Sequence, residues 1–164
     1  MRNNTFVIEP IGGASKLSYH LRLLKSQLCV THTLLDNDEA GKSAFVEAEK
    51  SQLITSKNCT FINCLGMPQS EFEDIIKPSI YRDVLKENFG VDVDSTNFKG
   101  REKWSARLKK LFELSGKIHR ATDESQAKYL IAEEFIKDPI NSLIPEKRNS
   151  MDALVASIED MVKI

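Results

Sequence analysis

The first ninety residues alternate short apolar runs with amphipathic ones, and this alternation constrains the fold more than any other feature. TFVIE at 5–9 reads as a buried strand. ASKLSYHLRLLKS at 14–26 reads as a helix with Leu17, Leu21 and Leu24 on one face. LCVTHTLLD at 28–36 reads as a second strand, EAGKSAFVEAEKSQL at 39–53 as a second helix, and CTFINCL at 59–65 as a third strand. Strands that alternate with helices are joined by crossovers, lie parallel, and need helices on both faces. The expected class is therefore α/β, with a central, mainly parallel sheet flanked by helices. Beyond residue 90 the strand pattern stops. REKWSARLKKLFELS (101–115), ESQAKYLIAEEFIKD (124–138) and SMDALVASIEDMVKI (150–164) read as helices, with Pro139 and Pro145 punctuating the gap between the last two. A length of 164 residues suits one domain, with an α/β core over 1–90 and a helical part over 91–164.

Composition narrows the function classes. With 41% hydrophobic and 29% charged residues, the chain reads as soluble and globular. A formal net charge of -1 argues neither for nor against nucleic acid, so any such signal must be local. No apolar run approaches the roughly 18 residues of a membrane span, and the N-terminus has no signal-peptide pattern, so no membrane partner is expected. Cys29, Cys59 and Cys64 are odd in number and sit in apolar runs, which favours reduced thiols and a cytoplasmic location.

In open α/β sheets, sites form at the carboxyl ends of strands. Asp36 and Asp38 stand at such an end in LLDNDEAGK, and Glu9 ends the first expected strand before PIGGASK. If those strands are neighbours, three carboxylates converge, and their repulsion calls for a cation. Hard oxygen ligands suit Mg²⁺ or Mn²⁺. A single Asp after a strand is also a common helix N-cap, which is the plain alternative for Asp38. Other chemistries drop out. GKS at 41–43 lacks the upstream glycine of a P-loop. His20, His32 and His119 have no metal spacing with each other or with the cysteines. DNDEA echoes a phosphotransfer aspartate loop, but Ala40 stands where that loop has a threonine.

The order of strand, glutamate, glycine-rich turn and helix, then strand, DNDEAG and helix, resembles the Toprim fold. The segment GMPQSEFEDIIKPSIY at 66–81, with its acids followed by Pro78 and Tyr81, narrows this. It is similar to the Toprim domain of the overcoming-lysogenization-defect (OLD) family of nucleases. The likeness is strongest over 5–81 and looser to about 137. It implies a Toprim-like Rossmannoid fold followed by a helical part, and divalent-metal-dependent phosphodiester cleavage, of DNA above all. It implies Glu9 as metal ligand or general base, Asp36 and Asp38 as the metal-binding pair, and Glu71, Glu73 and Asp74 as candidates to complete a second metal site. It also implies a late-helix lysine near the scissile phosphate. Lys128 in AKYLIAEEF is the choice and Lys117 in SGKIH the competitor. Two departures stand out: Gly13 occupies the usual second-acid position, and Pro10 stands where a glycine is usual. The site is then expected to hold one metal more weakly, or to use Ser15 or Lys16 as a substitute contact. OLD nucleases carry an ABC-type ATPase before this domain, so a separate ATPase domain or subunit is an expected partner, and a homo-oligomer is open.

An acidic site needs basic surface to draw in a polyanion. KGREKWSARLKKLFELSGKIHR at 99–120 carries eight Lys/Arg against two Glu. Arg101, Lys103, Arg107, Lys109, Lys110 and Lys117, with Lys16, are the candidate phosphate contacts. A solvated helix face is the alternative. Trp104, Leu108, Leu111 and Phe112 recur at helical spacing, which places Trp104 in a core rather than on a base-stacking platform. The expected function is a metal-dependent endonuclease. The second expectation is a Toprim-like module that binds nucleic acid or a partner without cutting.

Overall fold

The computed structural model describes residues 7–162, and within them β1 (Thr33–Asp36) and β2 (Cys59–Ile62) pair in parallel, Thr33 opposite Cys59 and Asp36 opposite Ile62. A parallel pair cannot be closed by a tight turn. The crossover is α2 (Glu39–Lys50), which lays Ala44 and Ala48 on the sheet. α1 (Leu17–Ser26), entered through a 3-10 turn over Ala14–Lys16, adds Leu17 and Leu21. Together with Leu35 and Ile54 these residues form one apolar core.

The chain is thus α/β, with a small parallel sheet flanked by helices. The sheet is narrower than the alternation predicts. Among the described residues it has two strands. Residues 7–9 of the expected first strand carry no strand pairing, and Val7 and Ile8 are exposed; residues 5 and 6 lie outside the described residues. The expected strand over 28–36 shortens to its last four residues. Leu28 turns to a φ of 60°, and β2 first offers a partner opposite Thr33. The third expected strand ends at Ile62 rather than 65. Beyond it the Cys64 amide donates to the Ser70 hydroxyl at 3.2 Å instead of to a ladder.

Two compact units result. One holds the residues up to Ile62 together with those from Asn149, including α7 (Asn149–Val162), which packs on β2. The other is Asn63–Arg148. The breaks fall after Ile62 and before Asn149, where the change of pattern suggests one near residue 90. The second unit is helical, with α3 (Pro78–Phe89), α4 (Trp104–Leu114), α5 (Ala121–Phe135) and the single turn α6 (Pro139–Ser142). The strand–helix alternation does not predict α3. Pro78 in its first turn and Gly90 at its C-cap mark its ends, and Tyr81 and Leu85 are its buried face. α5 begins three residues before the expected 124, because the Asp123 carboxylate accepts from the Arg120 amide at 2.9 Å and starts the helix there.

The core of the helical unit gathers Tyr81, Leu85, Val91, Phe98, Trp104, Leu108, Phe112 and Ile131. Trp104 is fully buried, as its spacing predicts. Leu108 sits at the middle of this cluster and Leu114, at the end of the same helix, is 58% exposed. Leu108→Ala should therefore cost about 2–5 kcal/mol in urea unfolding, from lost burial and the cavity left behind. Leu114→Ala should stay within about 0.5 kcal/mol.

Candidate functional site

In the sheet unit the two aspartates sit at one strand end. Asp36 is the last residue of β1, and Asp38 is the N-cap of α2. Asp38 Oδ1 accepts from the Gly41 amide at 2.9 Å, so the carboxylate that the family resemblance assigns to metal also starts a helix. Gly41 is required here by close approach. A β-carbon at this position would collide with the Asp36 carbonyl oxygen and pack on Asp38 Oδ1. The glycine lets α2 start directly against the strand end, which sets the Asp38 carboxylate beside the positive pole of the helix. Glu9 stands elsewhere in its local structure than expected. It is exposed, in a segment with no strand pairing, and accepts from His20 Nδ1 of α1 at 3.2 Å. Gly13 has a φ of 121°, which favours glycine and explains the missing acid at that position by backbone conformation alone. Ser15 and Lys16, in the following 3-10 turn, are exposed.

In the helical unit the acids after β2 fold into a 3-10 turn over Phe72–Ile75. Glu71, Glu73 and Asp74 are all buried. The Glu71 amide donates to Asp74 Oδ2 at 2.8 Å, which closes the turn on itself. The same carboxylates then reach the start of α4, whose own N-cap residue, Lys103, supplies no capping side chain. The Trp104 amide donates to Asp74 Oδ2 at 3.2 Å and the Ser105 amide to Glu71 Oε2 at 2.8 Å. The Ser105 hydroxyl donates to Glu71 Oε1 at 2.9 Å. Cations complete the arrangement. Arg107 pairs with Asp74 and donates to the Phe98 carbonyl at 2.9 Å, and Lys103 Nζ lies 3.0 Å from Glu71 Oε1. Lys128 Nζ, from α5, lies 3.7 Å from Glu71 and 3.6 Å from Glu73.

These surroundings shift the two acids in opposite directions. Burial pushes the Glu71 carboxyl up, but Lys128, the Ser105 amide and Lys103 together outweigh it, and its pKa lies below the ordinary value. For Asp74 burial is again the largest effect and prevails over the Glu71 amide, Arg107 and the Trp104 amide, so its pKa is raised.

Part of the expected basic stripe is committed to contacts within the fold. Lys103 and Arg107 are committed to carboxylates of the acid turn, and Lys117 Nζ donates to the Phe89 carbonyl at the end of α3. Arg101, Lys109 and Lys110 are exposed and remain candidates for phosphate contact. Between the two candidate lysines, Lys128 meets the acid turn and Lys117 caps a helix end. The sequence spacing does not reveal the role of Ser105, because it acts on Glu71 from 34 residues away. The Glu124–Lys128 pair, 3.7 Å apart at i,i+4, has a legible signal.

Asp36 and Asp38 are hard-oxygen donors of the kind Mg²⁺ and Mn²⁺ take. Among the described residues, no group of three or more His, Cys, Asp or Glu that could hold a metal ion stands together. The carboxylates at the end of β1 have the donor chemistry a divalent ion takes, and they number two. No protein-family model, curated protein or solved structure matches the chain.

Two outcomes test this geometry. Helix propensity alone makes Gly41→Ala stabilising by about 1 kcal/mol. The collision with Asp36 should reverse the sign, to a loss of about 1–3 kcal/mol in thermal or urea unfolding. For Glu71, a depressed folded pKa means a contribution that is present above the ordinary value of 4.5 and lost as pH falls through the lower folded value. Glu71→Gln should lose about 1–3 kcal/mol near neutrality. Its deficit against wild type should shrink as unfolding is measured below pH 4.5. Asp74, with its raised pKa, works in the other sense, so the difference between the two proteins isolates Glu71.

Proposed function

We propose that this chain is the nuclease part of a divalent-metal-dependent phosphodiesterase acting on nucleic acid, DNA first, of the OLD type that its sequence resembles. The observation that supports this most is the meeting of Lys128 with Glu71 and Glu73. The resemblance picks out these residues separately, from segments more than fifty positions apart, and the ammonium of one lies within 3.7 Å of both acids. Asp36 and Asp38, at the carboxyl end of a parallel strand, lie where α/β folds place their chemistry.

In the sheet unit, Asp36 and Asp38 would hold the ion. A bound Mg²⁺ or Mn²⁺ supplies an activated water and charge neutralisation at the phosphate. Asp38 also orients the first turn of α2, so its position is set by the helix it caps. In the helical unit, Lys128 is the lysine that the resemblance sets near a phosphate, and its ammonium would offset negative charge on a nucleic-acid backbone. Lys109, Lys110 and Arg101 draw in the polyanion without reading its bases. A separate ABC-type ATPase remains the proposed partner.

A second reading, a module that binds nucleic acid without cutting it, has one observation in its favour. Glu71 and Asp74 are already engaged by Ser105, Lys103, Arg107 and the backbone of α4, so these acids serve folding whether or not a metal binds.

A plasmid-nicking assay separates the two readings. Asn is as good an N-cap as Asp, so Asp38→Asn keeps the start of α2 while removing the charge a divalent ion needs. Wild type should nick DNA with Mg²⁺ or Mn²⁺ and not in EDTA. Asp36→Asn and Asp38→Asn should each lose at least about 100-fold in rate with melting temperature nearly unchanged, and Lys128→Ala should slow cleavage while leaving metal-induced stabilisation intact. Equal cleavage by wild type and Asp36→Asn removes the nuclease assignment. DNA binding without metal-dependent nicking supports the second reading.

A further inference from the structure

Lys128 is surrounded by carboxylates more evenly than a simple ion pair requires. Its Nζ lies 3.7 Å from Glu71 Oε1, 3.6 Å from Glu73 Oε2 and 3.7 Å from Glu124 Oε1. These are the distances of an electrostatic cage rather than of one directed hydrogen bond. The ammonium also lies over the face of Trp104, whose ring centroid is 5.9 Å away. The three acids differ in their commitments. Glu71 is tied to Ser105 and Lys103, and Glu73 is buried in the acid turn. Glu124 comes from α5 itself, one turn before Lys128, with its side chain 31% exposed. Of the three it can be changed without opening the core.

We propose that Glu124 is a positioning residue that holds the Lys128 ammonium in a parked position, from which a nucleic-acid phosphate must withdraw it. This deepens the function proposed above and rests on Lys128 being the phosphate contact. A phosphate approaching Lys128 competes with three carboxylates for one ammonium. Removing one competitor leaves Lys128 easier to recruit. The side chain has the length and exposure to respond: Lys128 is 30% exposed, and its four-carbon stem lets the ammonium swing. The parked state also keeps the cation on the acid turn when substrate is absent, where it offsets the charge of Glu71 and Glu73.

The test is the affinity of the full chain for a fluorescein-labelled single-stranded oligodeoxynucleotide, followed by anisotropy at low salt in EDTA, so that cleavage plays no part. Lys128→Ala should weaken binding. Glu124→Gln should tighten it by about two- to fivefold, the scale of one part-exposed ion pair. In the Lys128→Ala background, Glu124→Gln should have no effect, because its action runs through Lys128. Glu133→Gln removes the same charge from an exposed position on the same helix and should leave affinity unchanged. Melting temperatures show that each variant is folded. Equal tightening by Glu124→Gln with and without Lys128, or by Glu133→Gln, means general charge removal and overturns the proposal. No tightening, with Lys128→Ala still weakening binding, overturns the parking and leaves Lys128 as a phosphate contact. Affinity unchanged by Lys128→Ala removes both.

Discussion

The helical unit depends on two carboxylates that cap a helix from about thirty residues away. α4 begins after Lys103 with no capping side chain of its own, and its first amides would otherwise point into a buried region. Asp74 takes the Trp104 amide and Glu71 takes the Ser105 amide. Negative charge at a helix N-terminus is favourable electrostatically as well as through the hydrogen bonds. Trp104 and Leu108 follow immediately and fill the core. The acid turn therefore determines where α4 starts, and the start of α4 determines which face is buried.

Burying those acids demands compensation, because an unpaired buried carboxylate is costly. Arg107 answers Asp74, and Lys103 with Lys128 answers Glu71. Part of the basic stretch around α4 is therefore committed to the fold itself. Arg107 and Lys103 lie one turn apart on the side of the helix facing the acid turn, while Lys109 and Lys110 face solvent. One sequence pattern holds both fold-committed and solvent-facing cations, and only burial separates them.

In the sheet unit, Asp38 stands at the joint between a strand and a helix. An aspartate at the end of a strand and the start of a helix can cap, bind a cation, or do both, since one oxygen accepts from an amide while the carboxylate charge remains. Gly41 gives the turn its closeness, because any side chain there meets the carbonyl of Asp36. The combination brings the end of a parallel strand, at Asp36, and the Asp38 carboxylate that caps α2 within one short turn.

What the sequence determined by itself follows from local rules. Periodicity located α1, α2, α4, α5 and α7 to within a few residues, and the apolar runs located β1 and β2 and their parallel pairing through a helix. The placement of Asp36 and Asp38 at a strand end, and of Trp104 in a core, came from the same patterns. The tertiary structure decided how far each strand extends, since a strand ends where its partner does and not where its apolar run does. It also decided which charges face inward. Nothing along the chain pairs Glu71 and Asp74 with Lys103 and Arg107, and only the approach of the acid turn to α4 makes them one network. Hydrophobic periodicity reports which face of an element is apolar. It carries no information about which distant carboxylate meets which amide, because that pairing is set by how the elements pack.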